Sequence, residues 1–268
     1  MLWFFIRTRI YIYYKILTRK IALLFASFRD DPIIVAVGES WFNLTMGKWQ
    51  SIFTVAIVDW LKHHFGYNVF NMAIPGYTFT DEIKYQLFKY PVGKVAKKQN
   101  KLIVLLSMGG NDVMFVDIKN MVYKKNNEFV INEKEIRKFV RKFIYSFYTY
   151  LKMIKRFFNH EGGENIKIVI HGYGYVHLDP NKENKNLALI FDKYNVPIDV
   201  ANKSLRVFID ALNDEYKKLA EKSNYIHYLD FRKVVDDEEW LDDIHPTRSA
   251  FGKIAAKYDK FLSKQLRK

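Results

Sequence analysis

Cysteine is absent from this 268-residue chain, which excludes a disulfide framework, a cysteine-ligated zinc site and a thiol nucleophile. No apolar run approaches the roughly 18 to 20 uninterrupted residues of a spanning helix; charge repeatedly interrupts even the apolar opening MLWFFIRTRIYIYYKILTRKIALLFASF. Internal repeats, low-complexity tracts and a dividing linker are missing as well, so one principal domain over residues 31–268 is expected after an N-terminal segment. Zinc-finger spacing, RNP-like blocks and basic-region heptads are not found, and no nucleic-acid partner is expected. Acid is in deficit. Twenty-nine Asp and Glu face 43 Lys and Arg, and the net charge of +14 favours anionic partners without choosing among them.

Residues 1–30 hold six basic residues, Arg7, Arg9, Lys15, Arg19, Lys20 and Arg29, against Asp30 alone. Drawn as a helix, Ile6, Ile10, Tyr13, Leu17, Leu24 and Phe28 fall near one face, with Arg7, Lys15, Arg19 and Arg29 towards the other. Three readings fit: a helix lying in an anionic membrane interface, a terminal helix packed on the domain, or an atypical signal segment whose apolar core is 21–28. The corresponding expectations for location are a cytoplasmic protein peripheral on the membrane or, on the third reading, an exported one.

From residue 33 the pattern becomes regular. IIVAV (33–37), YNVFNMA (67–73), KLIVLLS (101–107), IKIVIHG (166–172) and YIHYLDF (225–231) are apolar, largely β-branched runs without strict alternation. Such runs suit strands covered on both faces. Helical patterns lie between them, at about 46–65, 80–90, 133–158, 186–194, 200–222 and from 247 onward. The alternation predicts a parallel five-stranded sheet sandwiched by helices in one α/β domain. Ligands of such sheets bind beyond the carboxyl ends of the strands.

The segments after the strands carry Gly38-Glu39-Ser40-Trp41, then Gly76, then Gly109-Gly110-Asn111-Asp112, and finally Asp242-Asp243-Ile244-His245-Pro246. A serine hydroxyl is a weak nucleophile until a base takes its proton, and an imidazole oriented by a carboxylate is the usual base. His245 can be that base, with Asp242 three residues earlier holding its other ring nitrogen. The Ser40 and Gly76 backbone N–H groups and the Asn111 side-chain amide are suitable donors to an oxyanion. Trp41, Phe42, Tyr77, Met108 and Tyr173 adjoin these segments and are expected to wall an apolar substrate site.

These four blocks, in this order and each after a strand-like run, resemble the SGNH hydrolases, also called the GDSL esterase and lipase family, over about residues 33–250. The resemblance implies a flavodoxin-like three-layer α/β/α sandwich and a serine esterase that works without metal or other cofactor. It casts Ser40 as nucleophile, His245 as base, Asp242 as its orienting acid, and Ser40, Gly76 and Asn111 as the oxyanion hole. One departure stands out: the family's usual Asp after the block's glycine is Glu39 here, which puts the geometry of the serine turn at issue. The Gly-x-Ser-x-Gly elbow of the α/β-hydrolases is missing, because position 42 is Phe.

Plainer roles exist for each residue. Ser40 can cap a helix. Asp242, Asp243 and His245 can suggest a metal site, but the segment alone cannot supply enough ligands. Of the remaining histidines, His63, His64, His160 and His227 read as surface or packing residues, whereas His171 and His177 follow the fourth strand and lie within reach of a substrate. The helix at 133–158 carries an apolar stripe of Ile136, Val140, Phe143, Phe147, Leu151 and Ile154, leaving Arg137, Lys138, Arg141 and Lys142 to face solvent. The expected activity is ester hydrolysis through an acyl-serine intermediate, on lipid or lysophospholipid esters. Alternatives are deacetylation of a glycan, acyl transfer, or a binding protein that kept the fold and lost turnover.

Overall fold

The computed structural model describes residues 34–44, 56–113, 118–179 and 187–266. The N-terminal segment 1–30 and the first half of the helix expected at 46–65 lie outside the described residues. Within them, five strands form one parallel sheet: β1 (Ile34–Gly38), β2 (Val69–Asn71), β3 (Lys101–Ser107), β6 (Asn165–His171) and β7 (Ile226–Leu229), in the spatial order β2-β1-β3-β6-β7. This is the order of flavodoxin-like sheets. Central β1 is buried at every position and β3 at every position but its first, which is why their sequences run apolar without alternation. The edge strands β2 and β7 are shorter than their apolar runs suggest. Each has a ladder partner on one side only, so the outer residues of those runs are left in coil.

Helices cover the sheet. α1 (Ile57–His63) packs against the C-terminal α9 (Arg248–Leu266), and α6 (Glu133–His160) packs against α3 (Lys89–Ala96) and α8 (Ile198–Glu221). The buried stripe of α6 is Ile136, Val140, Ile144, Phe147, Tyr150, Leu151, Ile154 and Phe158, with Phe143 at its half-buried margin. The helix expected at 80–90 is two helices, because Gln86 turns left-handed at φ 47° and ends α2 (Phe79–Tyr85) before α3 begins. Thr78 and Asp81 close the start of α2 with a reciprocal capping box.

A hairpin that the apolar pattern does not signal lies between β3 and α6. After the short helices α4 (Gly110–Val113) and α5 (Ile118–Met121), β4 (Val122–Lys125) pairs antiparallel with β5 (Glu128–Ile131). Asn126 and Asn127 connect them at φ 51° and 64°, the paired positive angles of a type I′ turn. Among the described residues no helix is long and apolar enough to cross a membrane. The last helices to be placed are the short α7 (Leu187–Asp192) and a single 3₁₀ turn at Asp237–Glu239.

Candidate active site

Ser40 follows β1 directly, in a tight turn in which Phe42 N–H donates to Glu39 O at 3.1 Å and Asn43 N–H to Ser40 O at 3.1 Å. The turn is tied to the β2 loop by Asn43 Nδ2 donating to Ala73 O (2.9 Å) and by Asn71 Nδ2 donating to Phe42 O (2.9 Å). Trp41 ties it to the other end of the chain, since its indole N–H donates to Ile244 O at 3.1 Å. Trp41 also stacks on His171, with centroids 5.5 Å apart, and meets Tyr173 edge-on at 4.9 Å.

The loop holding Asp242 and His245 is pinched at its base, where Trp240 bridges Pro246 and Leu241 N–H donates to His245 O at 2.8 Å. Asp242 Oδ1 accepts the N–H groups of Ile244 (2.8 Å) and His245 (2.7 Å), so the carboxylate is fixed by the backbone it serves. Its Oδ2 lies 2.7 Å from His245 Nδ1, and His245 Nε2 lies 2.9 Å from Ser40 Oγ. Burial acts to raise the Asp242 carboxyl, but the hydrogen bonds and charge of His245 and the two backbone donors prevail and hold it below the ordinary carboxylate value. An ionised Asp242 fixes the proton on Nδ1 and leaves Nε2 to accept from the Ser40 hydroxyl. Asp243 turns the other way: 1% exposed, it accepts the N–H of Ala188 at 2.9 Å.

Asn111 lies in the single turn of α4 and lines the pocket beside Ser40. One amide hydrogen of its Nδ2 goes to Tyr77 O at 3.0 Å, leaving the second to point elsewhere. No acceptor among the described residues takes the N–H of Ser40 or of Gly76. Gly76 sits at φ +74°, a conformation that suits glycine, in the β2–α2 loop, but it is not among the residues lining the pocket. Asp112 accepts the Phe79 N–H at 3.2 Å, joining this loop to the start of α2.

Glu39, the departure from the family pattern, spans the two chemistry-bearing loops. It is 2% exposed; its Oε2 accepts the Asn111 N–H at 2.9 Å and its Oε1 accepts the Tyr173 hydroxyl. A Cβ on Gly110 would collide with Glu39 Oε1 and the Tyr173 ring, so the longer acid requires glycine there. Burial pushes the Glu39 carboxyl from an ordinary 4.5 up to about 8, against the lowering effect of hydrogen bonds from Tyr173, Asn111 and Gly110. Protonated in the fold and ionised in the unfolded chain between those values, Glu39 makes stability fall as pH rises from about 4.5 to about 8, with no further change above. Glu39→Gln, permanently neutral and of the same shape, is expected to remove that slope. Urea denaturation midpoints across this range check it; parallel curves for the two proteins would show that Glu39 is ionised in the fold.

The structure brings Ser40, His245, Asp242 and Asn111 together. Of the five expected wall residues, Trp41 and Tyr173 line the pocket and Phe42, Tyr77 and Met108 do not. Phe42 is wholly buried against His171 and Tyr258, Tyr77 is turned into the core, and Met108 is buried with its carbonyl accepting from Tyr216 Oη at 2.7 Å. The wall instead comes from Leu205, Phe208 and Ile209 of α8, with Val176, Leu187 and Ile244 completing the apolar lining. His171 is a packing residue, stacked between Trp41 and Phe231, its pKa lowered to about 4 by burial; His177 is exposed. Among the described residues no group of three or more His, Cys, Asp or Glu side chains could hold a metal ion.

A parallel flavodoxin-like sheet with a Ser–His–Asp chain at its carboxyl edge is the arrangement of an SGNH-type serine esterase. The sequence model of the GDSL-like lipase/acylhydrolase family matches residues 34–257, and the chain belongs to that family. No curated protein sequence matches it. Among solved structures, an extracellular lipase from Streptomyces rimosus is 14% identical, with 87% of this chain and 99% of that one covered and a TM-score of 0.51. A phospholipase A1 from Streptomyces albidoflavus NA297 is 15% identical, with 86% and 99% covered and a TM-score of 0.54. At identities this low the likeness is one of fold alone.

Proposed function

We propose that the protein hydrolyses carboxylic esters with an apolar acyl group, of the lipid or lysophospholipid kind, through an acyl-serine intermediate. The observation that carries this reading is the Ser40–His245–Asp242 hydrogen-bonded chain, whose Ser40 lines a pocket together with Leu205, Phe208 and Ile209. Ser40 Oγ attacks the acyl carbon as its proton passes to His245 Nε2, and Asp242 stabilises the imidazolium that forms. The tetrahedral oxygen takes hydrogen bonds from the Ser40 and Gly76 N–H groups and the free Asn111 amide hydrogen. His245 then returns the proton to the departing alcohol, and a water activated by the same imidazole releases the acid.

Phe208→Trp fills the apolar end of the pocket while leaving the Ser40 array untouched. Each methylene in such a pocket is worth about 1 to 3 kcal/mol. The variant is therefore expected to lose at least about tenfold in kcat/KM for octanoyl relative to acetyl p-nitrophenyl ester. If the wild type already prefers the acetyl ester and the substitution leaves the ratio alone, the apolar acyl reading fails and glycan deacetylation takes its place.

A further inference from the structure

Helix α6 is longer than the sheet it covers. Its 28 residues extend roughly 42 Å at 1.5 Å per residue, whereas the seven residues of β3 or β6 extend roughly 23 Å. The helix ends at His160, and β6 begins at Asn165, so its C-terminus is at the amino edge of the sheet. Phe143 marks the opposite edge: its ring lies 5.4 Å from that of Phe79, and it is 3.4 Å from where a Gly109 Cβ would stand. The ten residues from Glu133 up to Phe143 therefore project roughly 15 Å past Gly109, on the carboxyl side of the sheet where Ser40 lies.

The β4–β5 hairpin leads directly into this overhang, with Asn132 N–H donating to Met121 O at 2.7 Å. Together they form a promontory next to the pocket, because the ring of Phe139 lies 6.3 Å from that of Phe208 in the pocket wall. Its exposed cations are Lys124, Lys125, Lys134, Arg137, Lys138, Arg141 and Lys142. Of its three acids, Glu133 pairs with Arg137 (3.5 Å) and Glu135 with Lys138 (3.1 Å), which leaves Glu128 against five cations. No acid occurs between Ile136 and Asn159. Tyr145, one turn beyond Arg141 on the same face, is 77% exposed, and Tyr123 on the hairpin is 43% exposed.

We propose that this promontory docks the protein on an anionic phospholipid surface and so holds the pocket mouth at the headgroup layer. Charge complementarity supplies the attraction, because each Lys or Arg near such a surface adds roughly 1 kcal/mol. The exposed tyrosines have the amphipathic character that suits the membrane interface. The surface is built from residues other than 1–30 and other than the catalytic array. The proposal concerns binding, and its outcome does not depend on which ester is cleaved.

The test uses the full chain with vesicles of phosphatidylcholine, alone or mixed with phosphatidylglycerol, and compares wild type with the Arg141→Glu/Lys142→Glu and Lys124→Glu/Lys125→Glu double variants. Wild type is expected to co-sediment with the mixed vesicles in a salt-sensitive manner. Each double variant is expected to bind them at least about tenfold more weakly while hydrolysing a soluble short-chain ester at the wild-type rate. Arg141→Gln/Lys142→Gln, which removes charge without reversing it, is expected to fall between. The proposal is overturned if the charge-reversed proteins bind mixed vesicles as tightly as wild type, as they would if residues 1–30 did all the binding. It is also overturned if wild type ignores both vesicles and instead shifts a single-stranded RNA in a gel.

Discussion

Ser40→Ala is expected to lower kcat by about six orders of magnitude, and His245→Ala by nearly as much. The reason is geometric. Ser40 Oγ has its hydrogen-bonding base at 2.9 Å, and no cysteine exists to substitute as a nucleophile. The two residues act as one unit, so the double variant is expected to be no worse than either single one. Asp242→Asn, which disturbs the tautomer that the 2.7 Å contact with Nδ1 selects, is expected to cost about four orders of magnitude. Asp243→Asn is expected to cost far less, because that carboxylate serves the Ala188 N–H. Single-turnover hydrolysis and labelling by a fluorophosphonate probe measure these effects. A Ser40→Ala protein that turns over at the wild-type rate would remove Ser40 from the mechanism.

Asn111→Ala is expected to reduce kcat by about two to three orders of magnitude with little change in KM, the signature of a donor used mainly in the transition state. The Asn111 side chain is held by Tyr77 O and its backbone by Glu39, so the amide is fixed in place before substrate arrives. A substitution that left the amide in place but loosened its mounting should therefore have a smaller effect of the same kind. Glu39→Ala is that substitution, and Glu39→Gln, whose amide oxygen still accepts the Asn111 N–H, is its rescue. An unchanged kcat in Asn111→Ala would confine Asn111 to holding the loop.

Much of this was readable from residues alone, for identifiable reasons. Buried parallel strands must be apolar on both faces, so β1, β3 and β6 stand out, and the loops at their carboxyl ends then hold Ser40 and Asn111. Asp242 was distinguishable from Asp243 by the reach of a three-residue spacing to an imidazole. The pocket wall was not readable in the same way. Adjacency to a motif selected Phe42 and Met108, yet neighbours in a turn point in different directions, and both went into the core. Leu205, Phe208 and Ile209 look in sequence like any core stripe of a helix, and only the packing of α8 leaves part of that stripe facing an opening. Glu39 looked like a flaw in the serine turn. Its carboxyl group accepts the Asn111 N–H, a contact that depends on how closely β1 and β3 run side by side. The hairpin turn escaped notice because it places two asparagines, not glycine, at positive φ.

Ser40 and His245 are 205 residues apart in the chain, and the indole of Trp41 makes a second link across almost the same interval. Loop-closure entropy must be met before contacts of that span can form, so they are expected among the late events of folding. A nascent chain on the ribosome would have its central strand and serine long before it has a base to activate that serine. Recovery of esterase activity after dilution from denaturant is accordingly expected to time the meeting of the Ser40 and His245 segments, and recovery of secondary structure only the layers between them.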